Sequence, residues 1–91
     1  MYNVVFSELA KKRFDKLDKS VQKRIVAKLK EIMSAGDPYR FFEPLKGVSA
    51  RKARVGDYRV IADMDRKNNT IYVLTLGHRS EIYRKLPESR T

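Results

Sequence analysis

The sequence predicts one α+β domain. It should hold an N-terminal strand, an antiparallel helical hairpin and a mostly antiparallel four-stranded sheet, in the order β-α-α-β-β-β, with a short C-terminal helical tail. Three observations predict this. Val21, Ile25, Leu29 and Ile32 recur at helical spacing. Residues 50–76 hold three strand-like runs with only turn residues between them, which implies an antiparallel meander. A β-branched and aromatic run, Tyr2–Phe6, precedes the helical part. A chain of 91 residues fits a single domain, 1–91, whose core is thin for its size.

Each element has its own local signals. Ser7 is placed to cap the first helix, and Glu8 suits the positive end of its dipole. That helix should run to about Leu17, with Ala10, Phe14 and Leu17 on one side. Asp18 is placed to cap the second, whose apolar stripe is widened by Val26 and Met33. Lys23, Arg24, Lys28 and Lys30 read as its solvated face. Ala35-Gly36-Asp37-Pro38 ends it. Tyr39 to Gly47 is a connector whose Phe41, Phe42 and Leu45 read as plugs for the junction of sheet and helices rather than as base-stacking groups.

The three strands are expected at Ala50–Val55, Tyr58–Met64 and Thr70–Leu76. Gly56-Asp57 makes the first turn, and Asn68-Asn69 tolerates left-handed backbone in the second. Alternation puts Tyr58, Val60 and Ala62 on the helix side. It puts Arg59, Ile61 and Asp63 on the other side, which is expected to be exposed and basic. Ser80 to Leu86 is expected to form a final helical turn stopped by Pro87.

Composition narrows the function. The net charge is +10, from 21 Lys and Arg against 11 Asp and Glu. An excess carried by both halves of the chain attracts polyanions, nucleic acid first. The structural alternative is the lysine-rich surface of a heat-adapted protein. There is no cysteine, so disulfides, Cys-ligated zinc and a thiol nucleophile are excluded. No apolar run is long enough to span a membrane, and a cytoplasmic location is expected.

The sequence also limits the chemistry. One histidine rules out a two-histidine acid–base pair. The glycines are scattered, with no phosphate-binding loop. Acidic residues are sparse in the strands, so a two-metal nuclease is unsupported. Asp63 and Asp65 read as strand-end and turn residues before they read as metal ligands. No metal and no cofactor is expected.

What remains is cationic. Lys52 and Arg54, two apart, share one strand face, and the turn brings Arg59 alongside. Three like charges on one face repel unless an anion lies between them, and a phosphate backbone meets that need. Arg51 extends the same basic run as a further RNA contact. RNA cleaves when its own 2′-hydroxyl attacks the adjacent phosphate. A protein then needs to align the attack and neutralise charge at phosphorus, which suits arginine. Arg59 and Arg79 are the candidates; the alternative for Arg59 is an ion pair with Asp57 or Asp63. Tyr83 is placed to act as base, to stack on a nucleobase, or to pack with Ile82 and Leu86. A free phenol titrates near pH 10, so the base role asks for cations nearby. His78 is a candidate to protonate the leaving oxygen, or a surface histidine without a role.

Three segments together resemble the RelE family of bacterial and archaeal toxins, within the RelE/ParE superfamily. They are Leu45-Lys46-Gly47, Arg54-Val55-Gly56-Asp57-Tyr58-Arg59-Val60-Ile61 and Gly77-His78-Arg79-Ser80-Glu81-Ile82-Tyr83. The resemblance spans nearly the whole chain. It implies a cytoplasmic, metal-independent endoribonuclease that cuts messenger RNA in the ribosomal A site and is silenced by a RelB-like antitoxin. It maps the family's basic site residues to Lys52, Arg54, Arg59 and Arg79, and its C-terminal tyrosine to Tyr83. Ala62-Asp63 departs from the bulkier aromatic continuation common in the family, and the Gly77–Tyr83 segment is shorter than in some members. A ParE-like inhibitor of DNA gyrase that cleaves nothing is the alternative within the superfamily. A passive basic nucleic-acid-binding module is the alternative outside it.

Overall fold

The computed structural model describes residues 1–84. Its elements are β1 (Asn3–Phe6), α1 (Glu8–Asp15), α2 (Lys19–Met33), a 3₁₀ turn (Pro38–Phe41), β2 (Glu43–Pro44), β3 (Arg51–Val55), β4 (Tyr58–Asp65) and β5 (Thr70–His78). They form one sheet in the order β1-β5-β4-β3-β2. β1 runs parallel to β5, and the other pairs are antiparallel. The connector supplies a strand beyond the four expected: Glu43 and Pro44 pair with Lys52 and Arg51. A proline is tolerated there because the strand is an edge.

Local chemistry accounts for the helices. Ser7 Oγ accepts from the Ala10 amide at 3.0 Å and donates to the Leu74 carbonyl at 2.7 Å. One hydroxyl therefore caps α1 and ties it to β5. Asp18 precedes α2 but makes no side-chain capping bond. Ile25, Leu29 and Ile32 of α2 are buried against the sheet. Arg24, on the polar side of α2, does not simply face water: a Cβ at Gly56 would run into its guanidinium. No described helix is long and apolar enough to cross a membrane.

The main core lies between the helices and one sheet face. It holds Ile25, Ile32, Val60, Ala62, Ile71, Val73 and Leu76, and Phe42 from the connector. Phe41 packs at its edge, so both connector phenylalanines plug the junction as expected.

The opposite sheet face departs from expectation. It is not wholly exposed and basic, because Ile61 and Leu74 form a second small core there with Ala50 and Ile82, and Leu45 packs beside them. The reason is the turn segment after β5. It folds back and places Ile82, 2% exposed, over apolar side chains that would otherwise face water. Residues 79–84 form consecutive turns rather than a regular helix. The part of the expected tail that holds Leu86 and Pro87 lies outside the described residues.

Two turns set the register. Val55 pairs with Tyr58 across Gly56-Asp57, and Gly56 takes φ 60°. That left-handed value at the first central residue suits a two-residue hairpin and favours glycine. Asn69 takes φ 49° in the second turn. Between β4 and β5 the register shifts at Ile61/Ala62, where Leu74 is the extra residue of a bulge.

Candidate active site

The sheet face away from the helices carries the basic cluster. Arg54 and Arg59 are directly opposed across the β3–β4 ladder, and Lys52 is opposed to Ile61. Opposed residues of an antiparallel pair point to one side, so Lys52, Arg54, Arg59 and Ile61 share a face. The segment after β5 brings Tyr83 to them, with the Lys52 ammonium 5.4 Å from the centre of its ring. Ile82 is the anchor that makes this possible. It is buried beside Gly77, while the neighbouring Tyr83 stays 42% exposed. Packing of Ile82 holds the segment in place while Tyr83 stays open to solvent.

Each cation is lightly held. Lys52 Nζ lies 3.9 Å from a Glu43 carboxylate oxygen, at the outer limit of an ion pair. Arg59 makes no ion pair with Asp57 or Asp63 among the described residues. Its Nη1 donates to the carbonyls of Gly56 at 2.9 Å and Tyr58 at 2.8 Å. Arg79 donates its amide to the Asp57 carbonyl at 2.8 Å, and its Nε lies 3.6 Å from the Asp57 carboxylate. Both partners of that pair are exposed, so it contributes little stability.

Three guanidinium groups thus meet at one turn. Arg59 and Arg79 touch Gly56 and Asp57 directly, and Arg24 lies over Gly56 from α2. Sequence reasoning missed Arg24, because its helical position marks it as a solvated lysine-like residue. The available signal was Gly56, a residue small enough to let a helix side chain lie on the hairpin.

Two predicted residues are placed elsewhere. His78 pairs with Tyr58, and the rings meet edge to face at 5.3 Å. Tyr58 packs on the main core. His78 therefore points to the helix side, away from Arg59 and Lys52. Its Nδ1 accepts from the Ser80 amide at 3.1 Å and lies 2.8 Å from Ser80 Oγ. An amide can only donate, so the ring proton of the neutral imidazole belongs on Nε2. His78 lines a cleft of about 780 Å³ together with Arg13, Lys16 and Arg84. Arg51 also leaves the cluster. Its guanidinium lies 5.4 Å from the ring centre of Tyr39, which carries Arg66 on it at 4.0 Å.

Comparison with known proteins bears on this geometry. Residues 4–83 match the family model for the ParE toxin of type II toxin–antitoxin systems. The chain belongs to the RelE/ParE superfamily of toxins. No curated protein matches this toxin in sequence. Solved structures do. The RelBE2 toxin–antitoxin complex of Mycobacterium tuberculosis matches at 29% identity and a TM-score of 0.66, over 86% of this chain and 98% of that one. The RelE–RelB complex of Pyrococcus horikoshii matches at 26% identity and 0.67, over 89% and 98%. The isolated RelE toxin of E. coli matches at 25% identity and 0.71, over 92% and 93%. The superfamily fold in this toxin places Lys52, Arg54, Arg59 and Tyr83 together on the outer sheet face, puts Arg79 at the adjoining turn, and turns His78 away.

Proposed function

We propose that this toxin is a ribosome-dependent, metal-independent endoribonuclease that cuts messenger RNA in the A site and so stops translation. The observation that carries the reading is the single sheet face that Lys52, Arg54 and Arg59 share, with the Tyr83 ring beside Lys52. Such a face binds a phosphodiester and offers one titratable hydroxyl beside it. In this reading the 2′-hydroxyl gives its proton to Tyr83 Oη, which acts in its phenolate form and ends as the neutral phenol, and the 2′-oxygen attacks the adjacent phosphorus. Arg59 and Arg79 neutralise charge on the phosphoryl oxygens. The bond from phosphorus to the 5′-oxygen breaks, a 2′,3′-cyclic phosphate forms, and Lys52 or water returns a proton to the leaving oxygen. His78, on the other face, stays out of the reaction and holds the turn at Ser80.

With so few acid–base groups, the enzyme gains most from a substrate already held in line, and a messenger fixed on the ribosome is such a substrate. An antitoxin that covers the basic face silences the toxin; the M. tuberculosis and P. horikoshii neighbours are toxin–antitoxin complexes. A cytoplasmic location follows from the substrate.

One observation favours a second reading. The matching family model is named for the ParE toxin, and a ParE-like toxin would inhibit DNA gyrase and cleave nothing. The experiment that separates them adds the purified toxin to translating ribosomes and maps messenger ends by primer extension, with a gyrase supercoiling assay in parallel. Cuts at A-site codons, absent from free messenger, with supercoiling intact, are the expected result. Blocked supercoiling without cuts would establish the gyrase reading. Neither effect would sink both and leave passive binding.

A further inference from the structure

Lys52 and Arg54 are the two cations of β3 on the outer sheet face. They are two residues apart, roughly 6.6 Å at 3.3 Å per residue. Two residues further along comes Gly56, which has no side chain to continue the row. Arg24 of α2 fills that place. A Cβ at Gly56 would run into its guanidinium, so the helix lays a cation where the hairpin has none of its own. Arg59 reaches the same glycine, donating Nη1 to its carbonyl at 2.9 Å. Arg24 and Arg59 are therefore neighbours at the hairpin tip, although one starts on α2 and the other on β4.

Arg24 is exposed and makes no ion pair among the described residues. The Asp57 carboxylate at the tip pairs with Arg79 instead, at 3.6 Å from its Nε. A long side chain laid across a turn gives up rotamer freedom. Here it gains no opposite charge in return, and its planar fork of donors is left to meet an incoming anion.

We propose that Arg24 is an RNA-binding residue of this toxin and holds the backbone phosphate beside the scissile one. The inference rests on the reading of this toxin as RNA-cleaving and adds a positioning contact to it. Lys52, Arg54 and Arg24 then make a track of three cations along β3 to the hairpin tip. Successive phosphates of an extended single strand are spaced comparably to the steps of that track. The phosphate on Arg24 fixes how far the strand runs past the scissile position, and so which 2′-hydroxyl meets Tyr83. Such a contact positions the strand and reads no base. Gly56 serves it directly, because a side chain there would push Arg24 off the track.

The test begins with binding of short single-stranded RNAs to the purified toxin, followed by fluorescence anisotropy across salt concentrations. Arg24→Gln should bind roughly tenfold more weakly, the lower end of what a hydrogen bond to a charged group is worth. Its salt slope should fall by about 0.7, the share of one phosphate contact on a single strand. Both losses should be equal for RNAs of different sequence and come without a lower melting temperature. Arg24→Lys should recover the slope. Unchanged affinity or slope, a loss confined to one sequence, a loss that accompanies lower melting, or no RNA binding by the parent would overturn the inference. A second arm uses ribosomes programmed with messengers that carry one neutral methylphosphonate next to the scissile linkage. On one side of that linkage it should slow single-turnover cleavage by the parent and not slow Arg24→Gln further. Equal slowing of both proteins on both sides would also overturn it. The two readings fail separately. Messenger cleavage with both arms insensitive to Arg24 refutes the contact alone. Binding that depends on Arg24 as stated, without any cleavage by the parent, supports the contact and refutes the nuclease alone.

Discussion

Arg54 and Arg59 stand directly opposite each other across the β3–β4 ladder, two like charges on one face with no carboxylate paired to either among the described residues. Opposed like charges destabilise a strand pair by up to about 1 kcal/mol. A fold keeps such a pair when an anion is to lie on it. Arg54→Thr should therefore raise the melting temperature by roughly 1–8 °C, while weakening RNA binding and lowering its salt slope by about one. Calorimetry and salt-dependent anisotropy check the two halves. A variant that loses RNA affinity and also melts lower would mean that Arg54 is structural.

Arg59→Ala should abolish messenger cleavage and leave the fold intact. Its side-chain bonds are to two carbonyls at a half-exposed turn, so the stability cost is small. Arg59→Lys keeps the charge but loses the fork of donors, and should recover binding without recovering rate. Full cleavage by Arg59→Ala would remove Arg59 from the mechanism.

Tyr83→Phe removes one oxygen and keeps the ring beside Lys52. General-base catalysis is typically worth roughly a hundred- to ten-thousandfold, so single-turnover cleavage on ribosomes should fall by about that factor with ribosome affinity little changed. Normal cleavage by Tyr83→Phe would leave stacking as the role of the ring and shift the catalytic burden to Arg59 and Arg79.

Gly56 carries two constraints, φ 60° and the guanidinium of Arg24 where a Cβ would go. Gly56→Ala should destabilise the toxin by about 1–2 kcal/mol from backbone alone, with a further cost from the clash. Arg24→Ala should relieve the second cost and not the first. Melting of the two single variants and the double variant forms the cycle, and additive costs would show that the side chain moves aside freely.

The Asn68 side chain and then its backbone amide hold the Asp65 carboxyl below its ordinary value of 3.8. A carboxyl lowered in the folded state contributes stability above its unfolded pKa and loses it as pH falls through the folded one. The parent should therefore exceed Asn68→Ala in stability at neutral pH, and the gap should close as pH drops below about 4. A gap of constant size down to pH 2 would assign it to turn geometry instead.

The short edge strand β2 in the connector was not legible in the sequence, but periodicity and turn residues by themselves determined the two helices and the four longer strands in their order, and which cations share a strand face. Each of these depends on neighbours within a few residues. Ser7, Gly56 and Asn69 act where their local chemistry predicts, and the spacing of Lys52, Arg54 and Arg59 is enough to place them together. Only the tertiary structure decided the rest. Strand alternation makes Ile61 a neighbour of Arg59, but whether it meets water depends on Ile82, twenty-one residues on. β5 extends to His78 rather than stopping at Leu76, and its pairing with Tyr58 turns His78 to the helix side. Arg24 reaches the Gly56 turn because α2 packs against β3, and one oxygen of Asp63 is left without a donor among the described residues. These outcomes follow from register and packing between distant segments, and a one-residue change in pairing exchanges the two faces of a strand.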